Sequence, residues 1–127
     1  MAYHLRRGAK RVCLRDGVLD VRGGPGGQNG KDHSGCETAE WHMHSAANSL
    51  AAIRRVVDEF GQHPALWGVE LLNEPGDLRT APTEDAMRPR LLEYYRAAYT
   101  IVRDRQPDLV LVICVLYWFD YWAWARE

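Results

Sequence analysis

The chain has 127 residues, of which 46% are hydrophobic and 26% are charged, a composition typical of one small globular domain. Its 16 basic and 17 acidic residues give a formal net charge of −1, so neither nucleic acid nor an anionic membrane surface is an expected partner. No stretch reaches the roughly 18 apolar residues that a membrane span requires, and the three widely spaced cysteines predict free thiols rather than a disulfide framework.

The first predicted element is helical. Residues 3–15 are rich in arginine, and the apolar side chains of Leu5, Ala9 and Val12 recur at helical spacing. This pattern predicts a short amphipathic helix with a solvated basic face. The segment 1–8 has no apolar core of the kind that secretory signals need, so no signal peptide is expected in this sequence.

A short strand predicted at 17–21 leads into a glycine-rich loop. Residues 22–30 contain five glycines and a proline, which excludes a regular helix or strand and predicts unusual backbone angles. Such a loop can hold phosphate, so a small nucleotide-binding domain is an alternative. It is the weaker one, because the Gly-Lys-Ser/Thr ending and the Gly-x-Gly-x-x-Gly register are both absent.

Four potential metal ligands follow this loop. They are His33, Cys36, His42 and His44. Cysteine and histidine are the usual ligands of zinc, but the spacing of these residues matches no common zinc signature. A polar surface loop is therefore the favoured interpretation, and no metal or other cofactor is expected.

The rest of the chain alternates helix and strand. An amphipathic helix is predicted at 46–60, a strand at 66–72, a second helix at 90–104 and a third strand at 109–114. Strands that alternate with helices are typical of a parallel sheet with crossover connections. The predicted fold class is therefore α/β, with about three parallel strands and intervening helices.

Asn73, Glu74 and Pro75 directly follow the strand predicted at 66–72. The carboxyl ends of parallel strands are the place where α/β enzymes keep their chemistry. A purely structural turn is the alternative, because Asn tolerates unusual backbone angles and Pro cannot continue a strand ladder.

Three motifs occur in a specific order, although each is common alone. They are Gly-Gly-Pro-Gly-Gly-Gln-Asn-Gly at 23–30 with Ser-Gly at 34–35, Gly-Gln-His-Pro at 61–64, and Val-Glu-Leu-Leu-Asn-Glu-Pro at 69–75. In this order the motifs resemble glycoside hydrolase family 5, and most closely its exo-β-1,3-glucanase branch. The resemblance covers the chain from Asp20 to about Tyr117.

The resemblance implies a partial (β/α)8 TIM barrel and a role for each matching residue. In that family the Glu of Asn-Glu-Pro is the general acid/base and its Asn neighbour binds the sugar 2-hydroxyl, which implies these roles for Glu74 and Asn73. Asn29 in the glycine loop is implied to line the sugar site. Arg22 stands where the relatives usually carry a histidine that helps to position the catalytic glutamates. The implied substrate is β-glucan or an oligosaccharide, and the implied location is extracellular or the cell wall.

A retaining glycosidase also needs a second carboxylate, about 5 to 5.5 Å from the first. Four extended residues would place Glu70 about 13 Å from Glu74, and the resemblance implies a nucleophile on the seventh barrel strand. A complete barrel takes about 250 residues. We therefore expect residues 1–127 to form one truncated catalytic domain, covering about barrel strands three to five, that is inactive by itself.

The aromatic segment at 117–124 supports a competing hypothesis. Aromatic rings stack on the apolar faces of sugars, which makes Trp118 a candidate substrate contact. Together with Trp122, Trp124 and the glycine loop, it is also compatible with a non-catalytic carbohydrate-binding remnant of such an enzyme. An aromatic fold edge is the structural alternative.

Overall fold

The computed structural model describes residues 12–15, 17–24, 27–29, 43–76 and 84–115, which contain one sheet and two helices. In chain order the elements are β1 (Val12–Arg15), β2 (Val18–Val21), α1 (Met43–Phe60), β3 (Gly68–Glu70), α2 (Glu84–Arg103) and β4 (Val110–Val112). Helix α1 lies in the connection from β2 to β3, and helix α2 in the connection from β3 to β4.

The sheet has the strand order β1-β2-β3-β4, and β2, β3 and β4 run parallel to one another. Leu19 is in register with Val69, and Asp20 is in register with Glu70. Because residues alternate between the two faces of a strand, the apolar pair and the acidic pair lie on opposite faces of the sheet. The predicted arrangement of three parallel strands with intervening helices is confirmed.

The hydrophobic core joins one face of the sheet to one stripe of each helix. Its buried members are Leu19, Val21, Ile53, Val56, Val57, Val69, Leu71, Leu72, Leu91, Tyr94, Tyr95, Ala98, Val102 and Leu109. Each large aliphatic side chain in this set contributes about 1.5 to 3 kcal/mol by leaving water. The two helices therefore stabilise one face of the sheet, and Asp20 and Glu70 belong to the other.

The helix predicted for residues 3–15 is wrong over its described part. Val12–Arg15 is a strand that pairs antiparallel with β2, with Arg15 opposite Val18. The two residues between that pair are Asp-Gly, a sequence preferred in two-residue hairpin loops, and Gly17 has φ 84°. Helical spacing is a weak preference compared with a strand ladder that pairs the backbone groups of residues 12–15. Residues 3–11 lie outside the described residues.

The other elements appear where they are predicted, with shifted ends. Helix α1 begins at Met43, and α2 begins at Glu84 and includes Pro89. As the sixth residue of α2, Pro89 removes one intrahelical hydrogen bond and crowds the carbonyl four residues before it, yet the helix continues through it, so it does not mark the helix start as predicted. Strands β3 and β4 are shorter than predicted. In the described part of the chain, no helix is long and apolar enough to cross a membrane.

Candidate active site

The residues that follow β2, β3 and β4 meet at one edge of the sheet, which we call the carboxyl rim (residues 22–24, 27–29, 71–76 and 113–115). The Leu71 amide donates to the Val112 carbonyl at 3.0 Å, and the Asn73 amide donates to the Val21 carbonyl at 3.1 Å. These bonds continue the ladder just beyond the strands and hold the Asn-Glu-Pro segment between its two neighbours. The described part of the glycine loop lies at the same edge.

Gln28 joins the glycine loop to the Asn-Glu-Pro segment. Its side-chain Nε2 donates to the Asn73 carbonyl at 2.8 Å and to the Arg22 carbonyl at 2.7 Å. Its Oε1 accepts a hydrogen bond from the Gly24 amide at 2.9 Å, and its own carbonyl accepts from the Gly76 amide at 2.8 Å. Gln28 is only 2% exposed. Sequence reasoning singled out Asn29 and missed Gln28, although a glutamine in a glycine-rich loop can satisfy several backbone groups at once.

Glu74 is held in an unusual backbone conformation. Its φ is 42°, and among the described residues it is the one non-glycine with positive φ. The left-handed region costs an ordinary residue about 1 to 2 kcal/mol, and residues held there cluster at functional sites. Glu74 is half-buried, and the following Pro75 is fully buried. The carboxyl group is thus neither enclosed in the core nor placed at the opposite end of the sheet from the glycine loop.

Glu70 and Cys114 lie beside Glu74. Burial raises the pKa of the Cys114 thiol, and a hydrogen bond with the Glu74 backbone opposes that rise. Burial raises the pKa of Glu70, and the Asp20 and Glu74 carboxylates raise it further, against the charge of Arg22 and the bond from Cys114.

Arg22 is tied to Asp20 in β2. Its Nε lies 2.8 Å from Asp20 Oδ2, with the arginine side chain 43% exposed and the aspartate side chain 12% exposed. Asp20 Oδ1 is buried with no hydrogen-bond partner among the described residues. Burial raises the pKa of Asp20, Arg22 opposes this rise, and the charge of Glu74 adds to it. Asp20, Glu70 and Glu74 thus form one acidic group with Arg22 as its neighbouring cation.

Two tyrosines of α2 support the rim from the core. The Tyr94 hydroxyl donates to the Leu71 carbonyl at 2.7 Å, and the Tyr95 hydroxyl donates to the Cys114 carbonyl at 2.6 Å. Burial raises the pKa of both phenols, so they remain protonated donors. The sequence predicts the helix that carries both tyrosines but not this contact with the rim.

The remaining candidate residues are placed unevenly. Asn73 is half-buried at the rim, whereas Asn29 is 3% exposed and presents little surface to a ligand in this structure. Trp118 lies outside the described residues, as do the three possible zinc ligands His33, Cys36 and His42. Within the described ranges, no group of three or more metal-ligating side chains is close enough to hold an ion.

A shallow groove of about 600 Å³ lies elsewhere, between α1 and α2. It is lined by Leu50, Ala51, Arg54, Arg55, Asp58, Glu59 and Ile101. None of the rim residues lines it, and its charged side chains project from exposed helix surfaces. The rim, and not this groove, is therefore the candidate site.

The fold is similar to that of a known glycosidase. The crystal structure of rutinosidase from Aspergillus niger matches 87% of this chain with a TM-score of 0.68, and the match covers 34% of that protein. The two sequences are 19% identical, so the likeness concerns the fold alone. It confirms the predicted fold class, a partial (β/α)8 barrel. No protein-family model matches the chain.

Sequence comparison identifies fungal relatives. The probable glucan 1,3-beta-glucosidase A of Aspergillus terreus is 32% identical over 98 residues, which is 75% of this chain and 22% of that protein. The glucan 1,3-beta-glucosidase of Kluyveromyces lactis is 34% identical over 103 residues, which is again 75% of this chain and 22% of that protein. The glucan 1,3-beta-glucosidase of Blumeria graminis is 38% identical over 63 residues, which is 47% of this chain and 15% of that protein.

This chain spans about a fifth of the length of the relatives that it matches over 75% of its own residues. The resemblance predicted from the three motifs is confirmed, and the chain is a partial relative of the glucan 1,3-β-glucosidases.

Proposed function

We propose that this chain is the central part of a retaining glycoside hydrolase that acts on β-glucan, of the exo-β-1,3-glucanase type, with Glu74 as its general acid/base. One observation carries the proposal. Glu74 stands at the carboxyl ends of parallel strands, next to Asn73, whose carbonyl accepts a hydrogen bond from Gln28 of the glycine loop, in a chain similar to proteins named glucan 1,3-β-glucosidase. In barrel enzymes this end of the strands holds the active site.

In the proposed reaction Glu74 donates a proton to the glycosidic oxygen as a second carboxylate, on another strand of the proposed complete barrel, attacks the anomeric carbon and forms a glycosyl ester. Glu74 then removes a proton from the water that cleaves this ester and releases the sugar. Asn73, the preceding residue, hydrogen-bonds the sugar 2-hydroxyl, a contact that strengthens in the transition state of such reactions. Arg22 and Asn29 remain proposed substrate-site residues, Arg22 through its exposed guanidinium and Asn29 through the loop backbone around it.

The charge of the rim suits this chemistry. Glycoside hydrolysis passes through a transition state that resembles an oxocarbenium ion and is therefore positively charged. The described rim and strand ends place the carboxyl groups of Asp20, Glu70 and Glu74 near one guanidinium, that of Arg22. An acidic surround that is already in place stabilises positive charge as it develops.

We also propose that the 127-residue chain does not turn over by itself. The retaining mechanism needs a nucleophilic carboxylate on the other side of the scissile bond. The described carboxyl groups beside Glu74 are those of Asp20 and Glu70, which belong to the same small sheet and so do not lie across a bound sugar from Glu74. Asp20 also forms an ion pair with Arg22. In the proposed complete barrel, another strand supplies the nucleophile. The proposed substrate is β-glucan or an oligosaccharide, and the proposed location is extracellular or the cell wall.

A chimera tests the proposed role of Glu74. This chain replaces the matching segment of the Kluyveromyces lactis protein, and the kcat/KM for laminarin is measured. Glu74→Gln is expected to lower kcat/KM about 10²- to 10⁴-fold. For aryl glucosides whose leaving groups need no proton, Glu74→Gln should lower kcat/KM by a smaller factor than for laminarin. Glu59→Gln is the matched control, because Glu59 is exposed on α1 with only a 3.8 Å ion pair to Arg55.

An active chimera that is indifferent to Glu74→Gln would rule out the acid/base role. The isolated chain is assayed in parallel. If it released glucose from laminarin, and if Glu74→Gln abolished that release, the proposed inactivity of the chain would be wrong. Binding of laminari-oligosaccharides that survives Glu74→Ala but not replacement of Trp118 would favour the carbohydrate-binding remnant instead.

A further inference from the structure

We propose that Gln28 is a positioning residue that holds Glu74 in its left-handed backbone conformation and so sets the direction of the Glu74 carboxyl group. The inference rests on the proposed function, because it matters to catalysis only if Glu74 is the acid/base. The geometric part of the proposal concerns the backbone and is independent of any reaction.

Gln28 contacts the chain on both sides of Glu74. Before it, the Asn73 carbonyl accepts a hydrogen bond from Gln28 Nε2 at 2.8 Å. After it, the Gly76 amide donates to the Gln28 carbonyl at 2.8 Å. The one described non-glycine residue with positive φ therefore lies between two contacts made by the same residue. Such a conformation persists only when its surroundings determine it.

The side chain of Gln28 is in turn fixed within its own loop. Its second Nε2 hydrogen bond reaches the Arg22 carbonyl at 2.7 Å, and Oε1 accepts from the Gly24 amide at 2.9 Å. Because Gln28 is only 2% exposed, water has little access to compete for these hydrogen bonds. The glycine loop and the Asn-Glu-Pro segment, 45 residues apart in sequence, are thus joined through one buried amide.

Only glutamine meets all of these requirements. The amide supplies two N–H donors for two carbonyl groups and one oxygen acceptor for an amide. Glutamate keeps the acceptor but, when ionised, presents only oxygens to those carbonyls. Asparagine is one methylene shorter, and leucine retains a similar bulk with no polar atom. These differences provide the variants for the test.

The test uses the 127-residue chain and NMR. A residue with positive φ gives a strong NOE between its own amide and α protons, so Glu74 reports its own conformation. In the wild type we expect this signal, together with slow exchange of the Gly24 and Gly76 amides. Gln28→Leu should abolish the strong NOE at Glu74 and speed exchange at Gly76 about tenfold. Gln62→Leu is the matched control, since exposed Gln62 makes a 3.2 Å bond to Gln106.

Gln28→Glu provides a second variant with a reversible readout. At low pH its protonated carboxyl group can donate to one of the two carbonyls, and the left-handed signal at Glu74 should persist. As pH rises and the group ionises, the carboxylate repels those carbonyls, and the signal should disappear reversibly. Gln28→Leu should lack the signal at every pH. A loss that only reflected general destabilisation would not follow the titration of the new carboxyl group.

Two results would overturn the proposal. One is a wild-type chain in which Glu74 gives the weak NOE of negative φ, or in which the Gly24 and Gly76 amides exchange as freely as exposed ones. The other is a folded Gln28→Leu variant with an unchanged Glu74 signal. If Gln28→Leu does not fold, the wild-type NOE and the titration of Gln28→Glu still show whether Gln28 holds Glu74 in its left-handed conformation. The two proposals can fail separately. If Glu74→Gln leaves the activity of the chimera on laminarin unchanged while the NMR results are as expected, the proposed function is wrong and the positioning role of Gln28 stands.

Discussion

Replacing Tyr94 by phenylalanine isolates one buried contact beneath the carboxyl rim. The Tyr94 hydroxyl donates to the Leu71 carbonyl at 2.7 Å, and Tyr94 and Leu71 are 2% and 1% exposed. Tyr94→Phe keeps the ring and removes only the donor. A buried carbonyl that loses its partner costs about 1 to 3 kcal/mol. Since about 1 kcal/mol shifts the Tm of a domain of this size by roughly 4 °C, we expect the Tm to fall by about 4 to 12 °C.

The measurement is urea denaturation followed by far-UV circular dichroism, with thermal melts beside it. The control is Tyr99→Phe, because Tyr99 is 54% exposed and its ring, with the Arg103 guanidinium 5.1 Å from the centroid, is retained in phenylalanine. Tyr99→Phe should change the free energy of unfolding by less than about 0.5 kcal/mol. If the two variants unfold at the same midpoint, the hydrogen bond from α2 does not stabilise the rim and the reasoning is refuted.

Three further predictions concern the sheet and the acidic group. Gly68→Ala should lower the free energy of unfolding by about 1 to 3 kcal/mol, because a Cβ there would lie 2.9 Å from the Val110 carbonyl oxygen; an unchanged denaturation midpoint would contradict this. Glu74→Asn should stabilise the chain by up to about 1 kcal/mol, since Asn tolerates the left-handed region better than Glu, whereas Glu93→Asn on exposed α2 should not stabilise it. Burial raises the pKa of Asp20 above 3.8 in the folded chain, so its neutral form contributes stability that is present below the unfolded pKa and lost as pH rises through the folded one. As pH rises through that acidic range, Asp20→Asn should therefore lose less stability than the wild type. The free energy of unfolding is measured by urea titration at a series of pH values, and parallel curves for the two proteins would contradict the prediction.

The helices and parallel strands follow from local patterns. The apolar stripe of α1 has the helical period, and the short apolar runs of β3 and β4 have the length and composition of buried strands. Such patterns predict an element and its type well but its ends poorly. Pro89 illustrates this, because it is part of α2 although a proline usually marks a boundary. The Asp-Gly pair favours the β1–β2 hairpin, whereas the helical spacing of Leu5, Ala9 and Val12 favours a helix, so the two local patterns conflict.

The site is less accessible to sequence reasoning. The order of the motifs indicates that Glu74 and the glycine loop belong to one site, and a strand followed by Asn-Glu-Pro indicates which end of the sheet it occupies. The sequence does not indicate that Gln28 connects them, because a glutamine can satisfy many different partners. Nor does it indicate that Cys114, about 40 residues further along the chain, lies beside Glu70 and the Glu74 backbone.

Local patterns were thus enough to predict the alternation of helices and strands and the glycine loop, since these depend on residues near one another along the chain, and the order of three motifs indicated the resemblance to the glucan 1,3-β-glucosidases. Tertiary structure decided the left-handed backbone at Glu74 and the grouping of Asp20, Glu70 and Cys114. The physical reason is that these features depend on hydrogen bonds and charges between residues tens of positions apart, as in the contact from Gln28 to Asn73. Such contacts exist only after the core has placed the strands side by side.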